Sequence, residues 1–496
     1  MSLPGTIEKP TLAQPGDAAR RLRRGMVLLA ICGIVTYVVQ APARHEIDSH
    51  FIEQGLREFF AWFRGGMTGP IAQPSAYPIF QYLTGLLAPA LGTIGIPLTM
   101  NEIWSLSSRL SYLALPYLTY RTVRARGGSF PTAGFAALVM LAGPLAAYAT
   151  STFNELPAAL LTAGFAASLL CGRSLLLIAL LSVLAGITKE FAPFLLALLW
   201  LALIGLDPAR RPTRVHLAAL SLSLVLAVAI NAGFNQFRFG TPRNVEYLDD
   251  PRLVQSVRYW LGYALALWLA PNGGVVASWP LWAGLFLAVL PLRSFPKMLQ
   301  SPPTPCRAAA CASAAALLVA LILTAGLAAW LAPFGWYCWG PRLLLPWLPT
   351  ILLILIAANP ATADLAVQGA LRTRARRWAL AILILASTLP AALLLYDEEV
   401  LHEFFNQANA QRAHLRDPHD LQSIHRVALD IAWRHWPPML LLPLRHIAID
   451  PSSAVIPLVL CASLQILLGS VRCDCPGVIN PSELSDLSRK PGPRDG

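Results

Sequence analysis

The sequence is short of charge. Only 13% of its 496 residues are Asp, Glu, Lys or Arg, about half the share of a soluble globular chain. So few charges cannot keep the surface of a chain this long in water. The alternating period-2 pattern of a membrane β-barrel is also missing, and the two halves show no internal repeat. The eight cysteines form no disulfide framework. Cys32, Cys171, Cys311 and Cys461 lie in or beside apolar runs, and Cys306, Cys473 and Cys475 fall in segments expected inside the cell. Cys338 alone is expected on the oxidising side, without a partner. Cys473-x-Cys475 lacks the further ligands a zinc site needs.

What is present is apolar. Hydrophobic residues make up 56% of the chain, and the mean hydropathy is +0.55. Apolar runs near 20 residues recur throughout, the length that spans a bilayer core of about 30 Å. Backbone groups in lipid must be satisfied within their own segment, so these runs are expected to be helices. The expected fold class is all-α: a polytopic transmembrane bundle of about 12 spans. The net charge of +12 predicts no nucleic-acid partner. Basic residues gather in short clusters between apolar runs, as the positive-inside rule demands.

Alternation of these clusters sets the topology. A polar tail, 1–24, ends in Arg20, Arg21, Arg23 and Arg24. A first span follows from Met26 to Gln40. Ala41-Pro42-Ala43 resembles a signal-peptidase site, but the long polar leader favours a retained span. The transmembrane region covers 25–470, with long outer loops at 43–102, 234–257 and 396–451. A polar tail, 471–496, closes the chain. Both ends are expected in the cytoplasm, in an inner or plasma membrane. The inner segments hold 23 of the 38 Lys and Arg. Apolar stretches at 79–97 and 258–275, the latter broken by Pro271-Asn272-Gly273-Gly274, are expected to be half-buried, interfacial or re-entrant.

Ionisable residues collect at the outer ends of spans. The first loop opens with Arg44-His45-Glu46-Ile47-Asp48-Ser49-His50, and an apolar side of Phe51, Leu56, Phe59 and Phe60 could rest on the membrane. A carboxylate fixed there can take a proton from an acceptor hydroxyl; a solvated loop reads equally simply. The second loop carries Arg238 and Arg243 among aromatics, with Glu246-Tyr247 after them. Guanidinium groups match phosphate geometry, although interface anchoring also explains this composition. Arg342 follows Trp339-Gly340-Pro341 at the start of a span, where an ionisable residue usually faces a cavity or a partner. Asn154-Glu155 opens another span, and Lys189-Glu190 separates two more.

The order of these features resembles the GT-C superfamily, membrane glycosyltransferases that use polyprenyl-phosphate-linked sugars, such as protein mannosyltransferases and the aminoarabinose transferases of lipid A. Glu46-Ile47-Asp48 looks like the family's acidic motif after span one. Tyr77-Pro78 precedes span two, and Pro144 with Asn154-Glu155 matches a span-opening Glu. Asn235, Phe239, Gly240, Thr241, Pro242 and Tyr247 match a family loop, and Trp339-Gly340-Pro341-Arg342 matches a turn before a Leu/Pro-rich span. The resemblance covers about residues 20–360. Ile47 departs from it, because many members have adjacent acids; the base is therefore Asp48 or Glu46.

The resemblance implies inverting transfer at the outer face. Asp48, or else Glu46, would deprotonate the acceptor, with His50 orienting it. Arg342, Arg238 and Arg243 would hold the lipid phosphate, with Tyr247, Glu155 and Lys189 as further substrate contacts. The implied partners are a polyprenyl-phosphate sugar, a lipid, glycan or protein acceptor, and membrane lipids. A divalent metal between carboxylate and phosphate is compatible with these residues but not required. A secondary transporter of 12 spans is the alternative, but few polar groups lie at mid-span depth.

Overall fold

The structure is a computed structural model. It describes residues 15–40, 53–58, 61, 78–205, 213–245, 254, 256–290, 305–329, 341–393, 421–434 and 454–473. Among the described residues there are helices and turns but no strand. The apolar runs become α1 (Pro15–Gln40), α2 (Ile79–Gly85), α3 (Leu87–Thr93), α4 (Met100–Ala125), α5 (Phe130–Leu141), α6 (Glu155–Leu170), α7 (Leu175–Thr188), α8 (Ala192–Gly205) and α9 (Arg214–Phe239). They continue as α10 (Val257–Leu269), α11 (Pro280–Val289), α12 (Pro305–Ala328), α13 (Leu348–Ala358), α14 (Pro360–Arg372), α15 (Arg374–Leu393), α16 (Leu421–Arg434) and α17 (Val455–Cys473).

Local chemistry sets the ends of these helices. Thr99 and Glu102 form a reciprocal capping box at the start of α4, which satisfies two orphan donors there. Ser129, Ser174 and Thr213 cap α5, α7 and α9 with their hydroxyls. α5 stops at Ala142 because Gly143 takes a positive φ of 94°. A Cβ at Gly143 would also run into the Trp279 ring. Pro360 opens α14 after Asn359, and the axes of α13 and α14 differ by 102°. Proline suits a first helical turn but cannot continue a helix it interrupts.

The core is built around α13. Every residue from Leu348 to Ala357 is buried, as expected of a helix that is apolar all round. It packs against α6 and α12, while α4 joins α5 and α6, and α17 joins α1 and α15. The bundle surface is apolar too: Leu28, Leu222 and Leu321 are each more than 60% exposed. Exposed apolar area on that scale belongs against lipid. By length and composition, four described helices are able to cross a membrane, or five if α13 and α14 count as one bent span. Six further apolar helices have 10–17 residues. This is the build of a membrane helical bundle.

Several boundaries differ from expectation. The second outer loop does not begin at 234: α9 runs on to Phe239 and ends at Gly240, φ 70°. Asn235 and Arg238 therefore sit on its last turns, where the two side chains bond each other. The first-loop helix at 53–58 does not lay Leu56 on the membrane surface. Leu56 is fully buried with Tyr82, Trp104 and Phe234. The stretch 79–97 forms α2 and α3. The stretch 258–275 forms α10 and a turn, with Asn272 bonded to the carbonyls of Ile431 and Ala432 in α16.

Candidate functional site

Glu155 is the first residue of α6 and is completely buried. The N-terminal end of a helix favours a carboxylate. Its Oε1 accepts from Lys189 Nζ at 3.1 Å and from Arg342 Nε at 3.0 Å. Each partner is delivered by a helix end. Lys189 terminates α7, and Asn154 Nδ2 ties the start of α6 to that end through Thr188 O at 2.6 Å. Arg342 begins a single 3₁₀ turn, Arg342–Leu344, ahead of α13. Its guanidinium lies over the Phe153 ring, 3.3 Å from the centroid.

A second cluster lies one residue along. Glu190 Oε1 accepts from Arg238 Nη2 at 2.8 Å and from Asn244 Nδ2 at 3.2 Å. Arg238 is fully buried and sandwiched between Phe234 and Phe239, at 4.7 and 4.6 Å. Such contacts favour a desolvated guanidinium. Together the two clusters bring three cations, Lys189, Arg238 and Arg342, into contact with two carboxylates, Glu155 and Glu190.

The first outer loop is attached to this end of the bundle. Gln81 Nε2 on α2 donates to Thr152 O at 3.2 Å, and Ser108 Oγ on α4 to Phe153 O at 3.1 Å. The Tyr82 and Phe234 rings meet edge-on at 4.9 Å, which sets Leu56 beside the end of α9. Near the end of α1, Tyr37 donates to Ala146 O at 3.0 Å and Arg109 to Val38 O at 2.7 Å. Both flanks of 41–52 are thus fixed near the two clusters. Glu46, Asp48, His50 and Tyr247 themselves lie outside the described residues, as does Trp336–Gly340.

Of the residues singled out in the sequence, the structure gathers Arg342, Glu155 and Lys189 in one cluster and Arg238 in the next. Arg243 is exposed and stands outside both. Sequence reasoning missed Glu190 and Asn235 as partners of Arg238, and Asn244 as a partner of Glu190. The adjacent Lys189-Glu190 pair, at the outer end of a span, was the available signal for Glu190. The opposite end of the bundle has its own fastening: Arg126 donates to Leu170 O and Ala357 O, at the C-terminal ends of α6 and α13. Among the described residues no three His, Cys, Asp or Glu side chains gather to hold a metal ion.

No known protein-family profile matches the chain, and no curated protein does. Solved structures do, among them two of one protein. ArnT from Cupriavidus metallidurans bound to undecaprenyl phosphate is 18% identical, with a TM-score of 0.50. The match covers 91% of this chain and 78% of that one. The same protein in the apo state is 16% identical, at a TM-score of 0.48 and the same coverage. The likeness to the first of these shows a shared fold.

Proposed function

We propose that the chain is an inverting glycosyltransferase of about 12 spans. It moves a sugar from a polyprenyl phosphate to an acceptor hydroxyl at the outer face of a plasma membrane, with both ends in the cytoplasm. The observation that carries this reading is the pair of charge clusters at one end of the bundle, which brings Lys189, Arg238 and Arg342 together where the first outer loop is attached. A sugar-bearing polyprenyl phosphate is a phosphodiester and carries one negative charge. The undecaprenyl phosphate bound by ArnT, whose fold the chain shares, supports the same class of lipid.

The chemistry follows from the residues. Asp48, or Glu46 in its place, takes the proton of the acceptor hydroxyl, and His50 orients that carboxylate. The acceptor oxygen forms a bond to the anomeric carbon as the bond from that carbon to the phosphate oxygen breaks. Single displacement inverts the anomeric centre. The leaving lipid phosphate gains a second negative charge, and Arg342 and Arg238 meet that charge as it develops. Lys189 contributes through the cluster, and Glu155 fixes Arg342 and Lys189 in place. Arg243 and Tyr247 follow the end of α9 and border the lipid. Asp48 lies eight residues from Leu56 and from Gln40, a reach of under about 30 Å along the chain from either.

The direct test is to incubate the purified protein with a panel of polyprenyl-phosphate sugars and to measure released polyprenyl phosphate. Release from at least one donor supports the reading. Release from none, in a folded sample given candidate acceptors, overturns it.

A further inference from the structure

α14 runs across the bundle rather than along it. Its axis makes 102° with that of α13, and it packs against α5, α11 and α15. It starts where α13 ends, beside the Ala357 carbonyl that Arg126 bonds. That is the end of the bundle away from Glu155 and Arg342. Ala363, Val367 and Leu371 are buried, and their spacing of four marks one face of the helix. The opposite face, with Ala361, Leu365, Gln368 and Arg372, is exposed, Leu365 by 72%.

Four arginines turn the corner into α15. Arg372, Arg374 and Arg376 are exposed and Arg377 is half-buried. Trp378, beside them, is 62% exposed. Arg376 Nη1 donates to Gly369 O at 2.9 Å, and Arg377 Nε to Thr373 O at 3.2 Å. Both side chains are thereby held at the end of α14. Among the described residues none of the four arginines pairs with a carboxylate. Asp364, the one acid from Pro360 to Trp378, accepts instead from Ser129 N at 3.1 Å. α15 then continues as a helix long and apolar enough to cross a membrane. Tryptophan and arginine at the head of a span belong at the membrane–water interface, and guanidinium groups match phosphate geometry. The exposed Leu365 and Trp378, with a span directly after them, favour a lipid partner over an acidic protein. We propose that α14 lies in the plane of one membrane interface, and that Arg372, Arg374, Arg376 and Arg377 dock the phosphate groups of anionic phospholipids there, in the leaflet away from the Glu155 cluster. The attraction is a sum over basic side chains held near an anionic surface.

The test is a titration of the full-length protein in detergent, followed by native mass spectrometry. The probes are phosphatidylglycerol, phosphatidylcholine and water-soluble glycerol 3-phosphate. The wild type is expected to bind phosphatidylglycerol more tightly than phosphatidylcholine, and to leave glycerol 3-phosphate unbound. Arg372→Gln and Arg374→Gln are combined in one protein, because neither side chain bonds another described residue. Each change should cost about fivefold in phosphatidylglycerol affinity. Phosphatidylcholine affinity and the melting temperature should stay at their wild-type values. Equal wild-type binding of the two lipids overturns the proposal and leaves the cluster to an acidic protein. Full preference in the double variant overturns it too, as does an equal loss for both lipids. Glycerol 3-phosphate bound as tightly as phosphatidylglycerol would make this a site for free phosphate esters and overturn the lipid surface. If the double variant does not fold, Arg374→Gln alone decides.

Discussion

Arg342 donates its Nε to Glu155 Oε1 at 3.0 Å, across 187 residues of sequence. The bond joins the start of α6 to the turn that precedes α13, the two helices at the centre of the core. Lys189 meets the same oxygen at 3.1 Å, so one buried carboxylate holds two cations. Removing one partner from such an arrangement strands buried charge, at a cost of about 3–5 kcal/mol. Glu155→Ala should therefore lower the unfolding temperature markedly in detergent, and lipid-phosphate affinity with it. A variant whose denaturation midpoint stays at the wild-type value would show that the cluster is not structural.

Arg342→Lys keeps the charge but loses the planar fork that pairs with both a carboxylate and a phosphate. Donor affinity and turnover should both fall, and Arg342→Ala should be worse. If Arg342 merely snorkels toward headgroups, lysine serves as well. Donor affinity measured beside turnover for the two variants separates these cases: unchanged values for lysine mean snorkelling, and unchanged values for alanine remove Arg342 from the site.

The helices were legible in the sequence because lipid leaves the backbone no other choice, and apolar runs mark where that choice applies. Their breaks were not. The run 131–150 reads as one continuous span, yet it ends at Ala142, because Gly143 must take a positive φ against the distant Trp279 ring. Arg238 looks like a loop residue beside Gly240-Thr241-Pro242. It remains helical because Glu190, Asn235 and two phenylalanines satisfy it from all sides. Of the site, the chemistry-bearing positions Glu155, Lys189, Arg238 and Arg342 could be named from span ends. Their partners could not, since pairing across the bundle depends on how helices pack and leaves no local pattern.

The pH response has a defined sign at His425. It is buried on α16, with Nδ1 3.1 Å from Tyr263 Oη and the Tyr259 ring at 5.5 Å. Burial pushes its pKa below the ordinary 6.5. The unfolded chain therefore takes up a proton, as pH falls through about 6.5, that the native protein refuses. This group's contribution to stability is intact above that pH and is lost below it. Thermal melts across this range should show the decline, and His425→Phe should flatten it. A His425→Phe protein with the same pH slope as wild type would assign the decline to other groups.

Topology is tested by cysteine labelling. Ser75, Arg243 and Asn409 belong to the three segments expected outside, 43–102, 234–257 and 396–451, and Arg243 is exposed. Cysteines introduced there should react with an impermeant reagent added to intact cells. Labelling only from the cytoplasmic side at any two of them would contradict the orientation drawn from the basic clusters.

The account stands or falls on catalysis by the first outer loop, and one paired measurement tests it: release of polyprenyl phosphate by wild type and by Asp48→Asn, each with its donor affinity determined. The expected result is release by wild type and a loss of about 10²–10⁴-fold in Asp48→Asn, with donor affinity largely kept and a smaller loss for Glu46→Gln. Normal turnover in Asp48→Asn with the loss appearing in Glu46→Gln would exchange the two roles. Undiminished turnover in both variants, or no release by wild type from any donor, would contradict the account.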